Sequence, residues 1–506
     1  MIAHCQSFAF SGIDAVPVDV QVQLASGLPA FLLVGLAERA VNEARERVRA
    51  ALASMGLSLP PRRVLINLAP ADIVKEGSHF DVPIALALLA AMDVIPAGAL
   101  DGVAALGELS LDGRLLAVNG VLPAAIAASG AGQNLICPAS QSREAAWASG
   151  LQIHPADTLL ELINFFRGAA PLPLPDPAEL DASGPGNERM LDLADVRGME
   201  LARRGLEIAA AGEHNLLMIG PPGSGKSMLA ARMPALLPDL SPIEALEVSM
   251  VHSVAGMLKN GRLLRRPPYR EPHHGASQAA LVGGGQRARP GEMSLAHCGV
   301  LFLDELPEFP RHALEALRQP METGRATIAR AAAHVTYPAR FQLVAAMNPC
   351  RCGYLDDAGK ACTRAPRCGE TYQSRISGPI LDRIDLVVHV APVSPAELAR
   401  APRGESSSTV ARRVAAARQR RRDRTESENK PRSGDGYDAA ICLSPEAGDL
   451  AEKAMERLGL SPRSYTRLIR VARTIADLAA ATEVAREHVA EALMFRHRPL
   501  RGAGGY

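Results

Sequence analysis

The spacing of apolar positions changes several times along the chain, and each change predicts a different element. In ERAVNEARERVRAALASMG, Val41, Ala44, Val48, Ala51, Leu52 and Met55 recur at helical intervals, so they form one stripe, with Gly56 as the stop. The run VPIALALLAAM (Val82 to Met92) is apolar on every side. It predicts a buried helix, too short to span a bilayer. VAALGELSLDGRLLAV alternates around Asp112-Gly113, a dipeptide that tolerates the positive φ of a tight turn, and so predicts a hairpin. Gly168 to Glu188 is rich in proline and glycine and predicts a linker. From about Arg189 to Pro392, short apolar runs alternate with helical patterns, as in a parallel α/β sheet. The stretch after it has a basic, helical centre and flexible flanks. Farther on, Tyr465, Leu468, Ile469, Ala472, Ile475 and Ala476 share one helical face, and Thr482 predicts the N-cap of a last helix. The result is a multidomain α/β chain: residues 1–167, a linker at 168–188, a core at 189–395, a basic helix and linker at 396–439, and a helical unit at 440–506.

Composition narrows this picture modestly. At 506 residues the chain is too long for a single hydrophobic core. A formal net charge of +1 excludes a uniformly basic nucleic-acid coat but allows local basic surfaces. Aromatics at 4% leave few platforms for stacked bases. The opening MIAHCQSFAFSGIDA has no charged segment ahead of a long apolar run, so no signal peptide is expected. Cys5, Cys137, Cys298 and Cys442 are scattered without framework spacing, which points to a reduced, cytoplasmic protein away from the membrane.

The clearest chemistry lies in HNLLMIGPPGSGKSMLAARM. An apolar strand ends at Gly220 and a helix begins near Gly225, with G-x-x-x-x-G-K-S between them. Gly220, Pro221, Pro222, Gly223, Ser224 and Gly225 would wrap backbone N–H groups around phosphates. Lys226 would reach the outer phosphates, and Ser227 would ligate Mg²⁺. In CGVLFLDELPEF an apolar strand, Val300 to Leu303, ends in Asp304-Glu305. Asp304 would hold Mg²⁺ through its water shell, and Glu305 would orient or deprotonate an attacking water. RFQLVAAMNP is another buried strand. Its tip, Asn348, would position that water beside a γ-phosphate, although an asparagine there also fits a plain turn. Arg383, in SGPILDRIDLVVHV, would either project into a neighbouring subunit's nucleotide or pair with Asp382 or Asp385. Arg463 would sense the γ-phosphate from within its own subunit, with Arg467 one turn later as the rival. ATP and Mg²⁺ are the cofactors these motifs imply.

Taken in order, these motifs resemble AAA+ ATPases. More narrowly, YREPHHGASQAALVGGGQRARPGEMSLAHCGVLFLDELPEF resembles the signature of magnesium-chelatase-like ATPases, and the whole chain resembles the competence-associated ComM (YifB) subgroup. The resemblance implies a hexameric ring with an arginine finger offered in trans by Arg383, a helical C-terminal lid, and action on branched or single-stranded DNA as a branch-migration helicase in natural transformation. It also implies an insert at Tyr269 to Arg289 that lines the ring pore, with Gly283, Gly284 and Gly285 at its tip and Arg287 and Arg289 adding charge. The N-terminal region resembles the proteolytic domain of Lon. The family's two helix lysines fall on Leu122 and Ala124, and its serine position falls on His79 or Asp81, so a fold without peptidase activity is expected.

Two basic stretches add modest support for DNA: Arg262, Arg265, Arg266 and Arg270, and the run RRVAAARQRRRDR. A chelatase-type motor that drives metal insertion is the rival. Against it stand the Lon-like region and the absence of a D-x-S-x-S motif. Four of the eight cysteines, Cys350, Cys352, Cys362 and Cys368, crowd into NPCRCGYLDDAGKACTRAPRC after the Asn348 strand. Four thiolates suit tetrahedral Zn²⁺; a redox pair and a metal-free loop are the other readings.

Overall fold

In the computed structural model the described residues are 2–35, 43–96, 98–178, 180–181, 191–285, 288–329, 334–355, 363–393, 399–427 and 441–496. Val41, Arg287 and Cys362, named above, lie outside them, as do parts of the expected linkers.

The first 156 residues build a mixed seven-stranded sheet. Its spatial order is Ala30–Val34, Arg63–Ala69, Asp14–Ala25, Ile2–Ser11, Val103–Ala105, Asn134–Pro138 and Ile153–Ala156. Alternation along the strand Ile2–Ser11 sends Cys5 and Ala9 into one core and Phe8 into the other. The first core holds the helices Ala44–Ser54 and Asp81–Ala91, the second of them buried along nearly its whole length. The second core takes the helix Val121–Gly130. The expected hairpin forms between Glu108–Leu109 and Leu115–Leu116, with Gly113 at φ 85°.

The middle of the chain forms a five-stranded, all-parallel sheet. Its spatial order is Tyr269–Arg270, Val300–Leu303, Gln342–Met347, Leu216–Ile219 and Leu386–His389. Successive residues feed opposite faces. Leu216, Met218, Val300, Phe302, Val344 and Ala346 enter one core, and Leu217, Ile219, Leu301, Leu303, Leu343 and Ala345 the other. Burial on both faces explains why these strands read as unbroken apolar runs.

Three helices follow at the C-terminal end, Pro445–Leu458, Pro462–Leu478 and Arg486–Met494. They pack into the first of those two cores. Ser444 and Ser461 cap the first two, each with proline in the first turn. Thr482 does not cap the third. Val484 instead makes a parallel bridge with Leu443, which delays helix entry until Ala485, and Thr482 O accepts from the buried Arg473.

The basic run forms the helix Ser407–Ser427, but most of its arginines bond within the chain. Arg413 pairs with Glu207 at 2.6 Å and Glu405 at 2.7 Å. Arg418 and Arg421 donate to Ala210 O and Gly212 O, the last carbonyls of the helix Glu200–Gly212, and Arg424 grips Asp477 at 2.8 Å. The same holds for two of the upstream arginines. Arg265 pairs with Asp239 at 2.8 Å, and Arg270 with Glu292 at 2.6 Å. The basic patterning therefore lends DNA binding less than the sequence alone suggests.

One buried carboxylate lies at the contact between the N-terminal sheet and the ATPase-like core. Glu144 accepts from Leu122 N at 3.0 Å, capping the helix Val121–Gly130, and from Ser253 Oγ at 2.5 Å, on the core helix Pro242–Ala255. A Cβ at Gly261 would lie 2.6 Å from Glu144 N, so the two bodies touch backbone to backbone. Burial raises the Glu144 pKa despite its hydrogen bonds. Glu144→Ala strands two buried donors and is expected to cost about 1–3 kcal/mol. Glu144→Gln keeps an acceptor without the buried charge and is expected to melt closer to wild type. Thermal unfolding of both variants checks this; a Gln variant as damaged as the Ala variant would show that the charge itself is required.

Candidate nucleotide site

The parallel sheet sets the geometry, because the tips of adjacent strands share one edge. Ile219 pairs with Met347, which places Gly220 beside Asn348. Gly223 and Gly225 turn the loop at φ 76° and 87°, conformations that suit glycine. Lys226 then opens the helix Lys226–Ala230 and folds its side chain back over the loop. Its ammonium donates to Gly220 O at 2.8 Å, Pro221 O at 2.9 Å and Asn348 Oδ1 at 3.2 Å. Burial lowers its pKa, opposed by the charges of Asp304 and Glu305. Ser224 Oγ, in the same loop, is buried with no hydrogen-bond partner among the described residues.

Ser227 Oγ donates to Asp304 Oδ2 at 2.6 Å. Asp304 turns its other oxygen to the Glu305 N–H at 2.8 Å, which helps hold Glu305 at φ 52°, an uncommon value for a residue with a side chain. Glu305 points outward, half exposed, and pairs with His274 Nδ1 at 3.3 Å. The His273 ring lies against His274, with centroids 4.0 Å apart. Nearby, burial and the Asp304 charge raise the Glu271 pKa. Ser227 and Asp304 thus offer hard oxygen donors suited to Mg²⁺, and the orphaned Ser224 hydroxyl and the buried ammonium suit a phosphate chain.

The two arginines fall elsewhere. Arg383 is 9% exposed and pairs with Glu322, neither of the aspartates considered from sequence. It also donates to Pro379 O at 2.5 Å, while its Nε is buried without a partner among the described residues. Arg463 reaches the same Glu322 oxygen at 3.4 Å. Arg467 is occupied by Asp385 at 3.6 Å. A cavity of about 440 Å³ opens on Arg383, Glu322, Arg318 and Glu315, and its lining contains none of Gly220 to Ser227.

At the insert, Gly283–Gly284 pairs antiparallel with Arg289–Pro290, and Arg289 is exposed. Gly283 is sterically required there, since a Cβ would lie 2.6 Å from Arg289 O; Gly285 meets nothing within 4 Å. A second hairpin, Arg325–Ala329 with His334–Pro338, lies beside it, tied by Tyr337 Oη to Ala288 O at 3.0 Å. Of the cysteines, Cys350, Cys352 and Cys368 come together.

The sequence reading missed His274, Glu271 and Glu322. The first two have an address only in the structure: a Glu and two His follow the short strand Tyr269–Arg270, at the ligand-binding edge of the same sheet. Glu322 had no local signal, since it meets Arg383 across 61 residues.

Family models for magnesium chelatase subunit ChlI match residues 192–398, 20–141 and, for its C-terminal part, 404–496. The chain is 43% identical to competence protein ComM of Haemophilus influenzae, over 98% of this chain and 97% of that one. It is 44% identical to the YifB protein of Escherichia coli, over 96% and 95%. Against the magnesium-chelatase 38 kDa subunit of Rhodobacter capsulatus it is 27% identical, over 33% of this chain and 53% of that subunit. With relatives matched nearly end to end and the strand-tip geometry of a phosphate loop, the chain belongs to the ComM/YifB family of magnesium-chelatase-like AAA+ proteins.

Proposed function

We propose that the protein is an ATP-hydrolysing ring motor on branched or single-stranded DNA, a hexameric branch-migration helicase serving recombination in natural transformation. The observation that carries it is the convergence of Lys226, Asn348, Ser227, Asp304 and Glu305 at one sheet edge. In this reading Gly220 to Ser227 cradle the phosphates, and Ser227 and Asp304 hold Mg²⁺, which supplies charge neutralisation at the phosphates. Glu305 takes the proton of the attacking water, and Asn348 orients that water and Lys226 together. Arg383 serves the neighbouring subunit's nucleotide, and Arg463 follows the γ-phosphate as the C-terminal helices move as a lid. The paired hairpins at Gly283–Pro290 and Arg325–Pro338 supply pore-facing DNA contacts, Arg289 among them.

The name of the Haemophilus influenzae relative supports the competence context, and full-length coverage favours it over a chelatase motor, whose relative matches a third of this chain. The N-terminal region acts as a Lon-like scaffold without peptidase chemistry. Leu122 and Ala124 are buried apolar residues, His79 Nε2 is bound to Phe8 O at 2.8 Å, and Asp81 is clamped by Arg47 at 2.5 Å.

Glu305→Gln is expected to lower ATP turnover by roughly 10²–10⁴-fold while leaving nucleotide binding intact. The same variant should abolish strand exchange on a labelled three-way or Holliday junction that the wild type performs. Normal ATP turnover with no DNA binding or junction movement at any salt concentration sinks the helicase reading.

His274 is a positioning residue for Glu305. His274→Ala should reduce kcat with little change in KM for ATP, and His274→Gln, which keeps a donor, should recover part of the loss. An equal fall in both variants, accompanied by a raised KM, would point to binding instead.

Arg383→Ala alone should cost roughly 10³-fold or more in turnover. Mixing Arg383→Ala subunits with Lys226→Ala subunits should restore activity, because an intact nucleotide site then borrows Arg383 from its neighbour. Mixed rings as inactive as either parent argue that Arg383 does not act between subunits.

A further inference from the structure

Among the described residues, four cysteines fall in two side-chain clusters that the ATPase reading does not use. One joins Glu247, His297 and Cys298, but a fixed cation already sits in it. Arg340 pairs with Glu247 at 3.0 Å and reaches Cys298 Sγ at 3.7 Å. The Arg340 N–H also donates to His297 Nδ1, so His297 Nε2 carries its proton toward Glu247. That cluster is a hydrogen-bonded structural network.

The other cluster differs in every respect. Cys350 and Cys352 lie in the turn after the strand Gln342–Met347, and Cys368 opens the helix Arg367–Gln373. Their sulfurs all lie within 4.8 Å of one another, with Cys350 and Cys352 at 3.0 Å. A zinc ion bound by sulfur at about 2.3 Å needs tetrahedral edges of about 3.8 Å, which this spread brackets. Cys350 is fully buried and the other two are half-buried, so the site has one closed side and an open approach.

We propose that Cys350, Cys352 and Cys368 bind one zinc ion as thiolates. Each thiol gives up its proton to solvent on binding, and no oxidant is required. A disulfide between Cys350 and Cys352 would need one, and it would leave the convergence of Cys368 unexplained. Cys362, the fourth thiol considered from sequence, lies outside the described residues.

The location gives the ion a task. Cys350 is two residues past Asn348, and Gly353 packs so closely on Pro222 of the phosphate loop that a Cβ there would collide with the proline ring. Gln373, in the Cys368 helix, donates to Pro349 O at 3.0 Å. Zinc therefore staples the chain leaving Asn348 to the Arg367–Gln373 helix and presses the turn against the phosphate loop. This second part rests on the ATPase reading; the metal site does not.

The test starts with full-length protein purified under reducing conditions. Elemental analysis is expected to give one zinc per chain, near zero in Cys352→Ser and Cys368→Ser, and an unchanged value in Cys298→Ser. Where a variant fails to fold, wild-type protein stripped by chelator and titrated with Co²⁺ should show a saturable thiolate-to-cobalt charge-transfer band that Zn²⁺ displaces. No zinc in the purified protein, with no saturable Co²⁺ band, overturns the site. ATP turnover of stripped and zinc-reloaded protein is measured in parallel. Bound zinc whose removal lowers kcat supports the staple. Bound zinc whose removal leaves kcat unchanged keeps the metal site and overturns its link to Asn348. Metal binding with no ATP turnover in any form refutes the ATPase reading alone.

Discussion

The register between three parallel strands decides where the chemistry falls. Ile219 lies beside Met347, and Leu303 beside Ala345, so the residues after each strand emerge at one edge within hydrogen-bonding reach. Side chains alternate between faces, and a slip of one residue would send Asp304 away from Ser227 and exchange the side chains that fill the two cores, which are packed to fit. The double-sided core forbids that slip. The apolar alternation that buries Leu217 and Met218 on opposite faces is therefore the same constraint that brings Lys226 to Asn348.

Charge is spent differently in this molecule from what its sequence suggests. The arginines of the helix Ser407–Ser427 close the C-terminal end of the helix Glu200–Gly212, pair with Glu207 along it and grip Asp477 on a C-terminal helix, so they hold the ATPase core to the helices behind it. Glu144 does the same between the N-terminal sheet and the core, as a helix cap shared across two bodies. Placing a buried carboxylate at such a joint makes the contact specific, because separating the two bodies strips buried donors on each of them of this acceptor.

What the sequence revealed follows from how local each signal is. The phosphate loop, the hairpin at Gly113 and the helix over residues 81–91 depend on neighbours in sequence, and all three form. The Thr482 cap failed because a tertiary bridge from Leu443 to Val484 outweighed a sound local signal. The basic helix misled for a related reason: composition reports charge but not its partner, and Glu207 and Asp477 are far from it in sequence. His274 could be placed only once the sheet order put EPHH at the ligand edge, because the two-residue strand before it is too short to be seen as a pattern. Glu322 had no local signal at all.

Glu322 matters most for how a ring of such subunits would cycle. Arg383 and Arg463 converge on it, so in the proposed ring the arginine offered to a neighbour and the one offered to the subunit's own nucleotide would share one carboxylate. The charges of Arg463, Arg318 and Arg467 add to burial in lowering the pKa of Arg383, so its positive charge is held there against a local cost. Removing the partner of a nearly buried guanidinium is expensive unless another anion replaces it. Arg383 would thus leave Glu322 only for a concentrated negative charge such as a neighbouring triphosphate. Its departure frees Glu322 to bind Arg463 alone. In the proposed ring the pair of arginines would link occupancy of one subunit's nucleotide site to the position of the next subunit's C-terminal helices, with Glu322 as the shared contact.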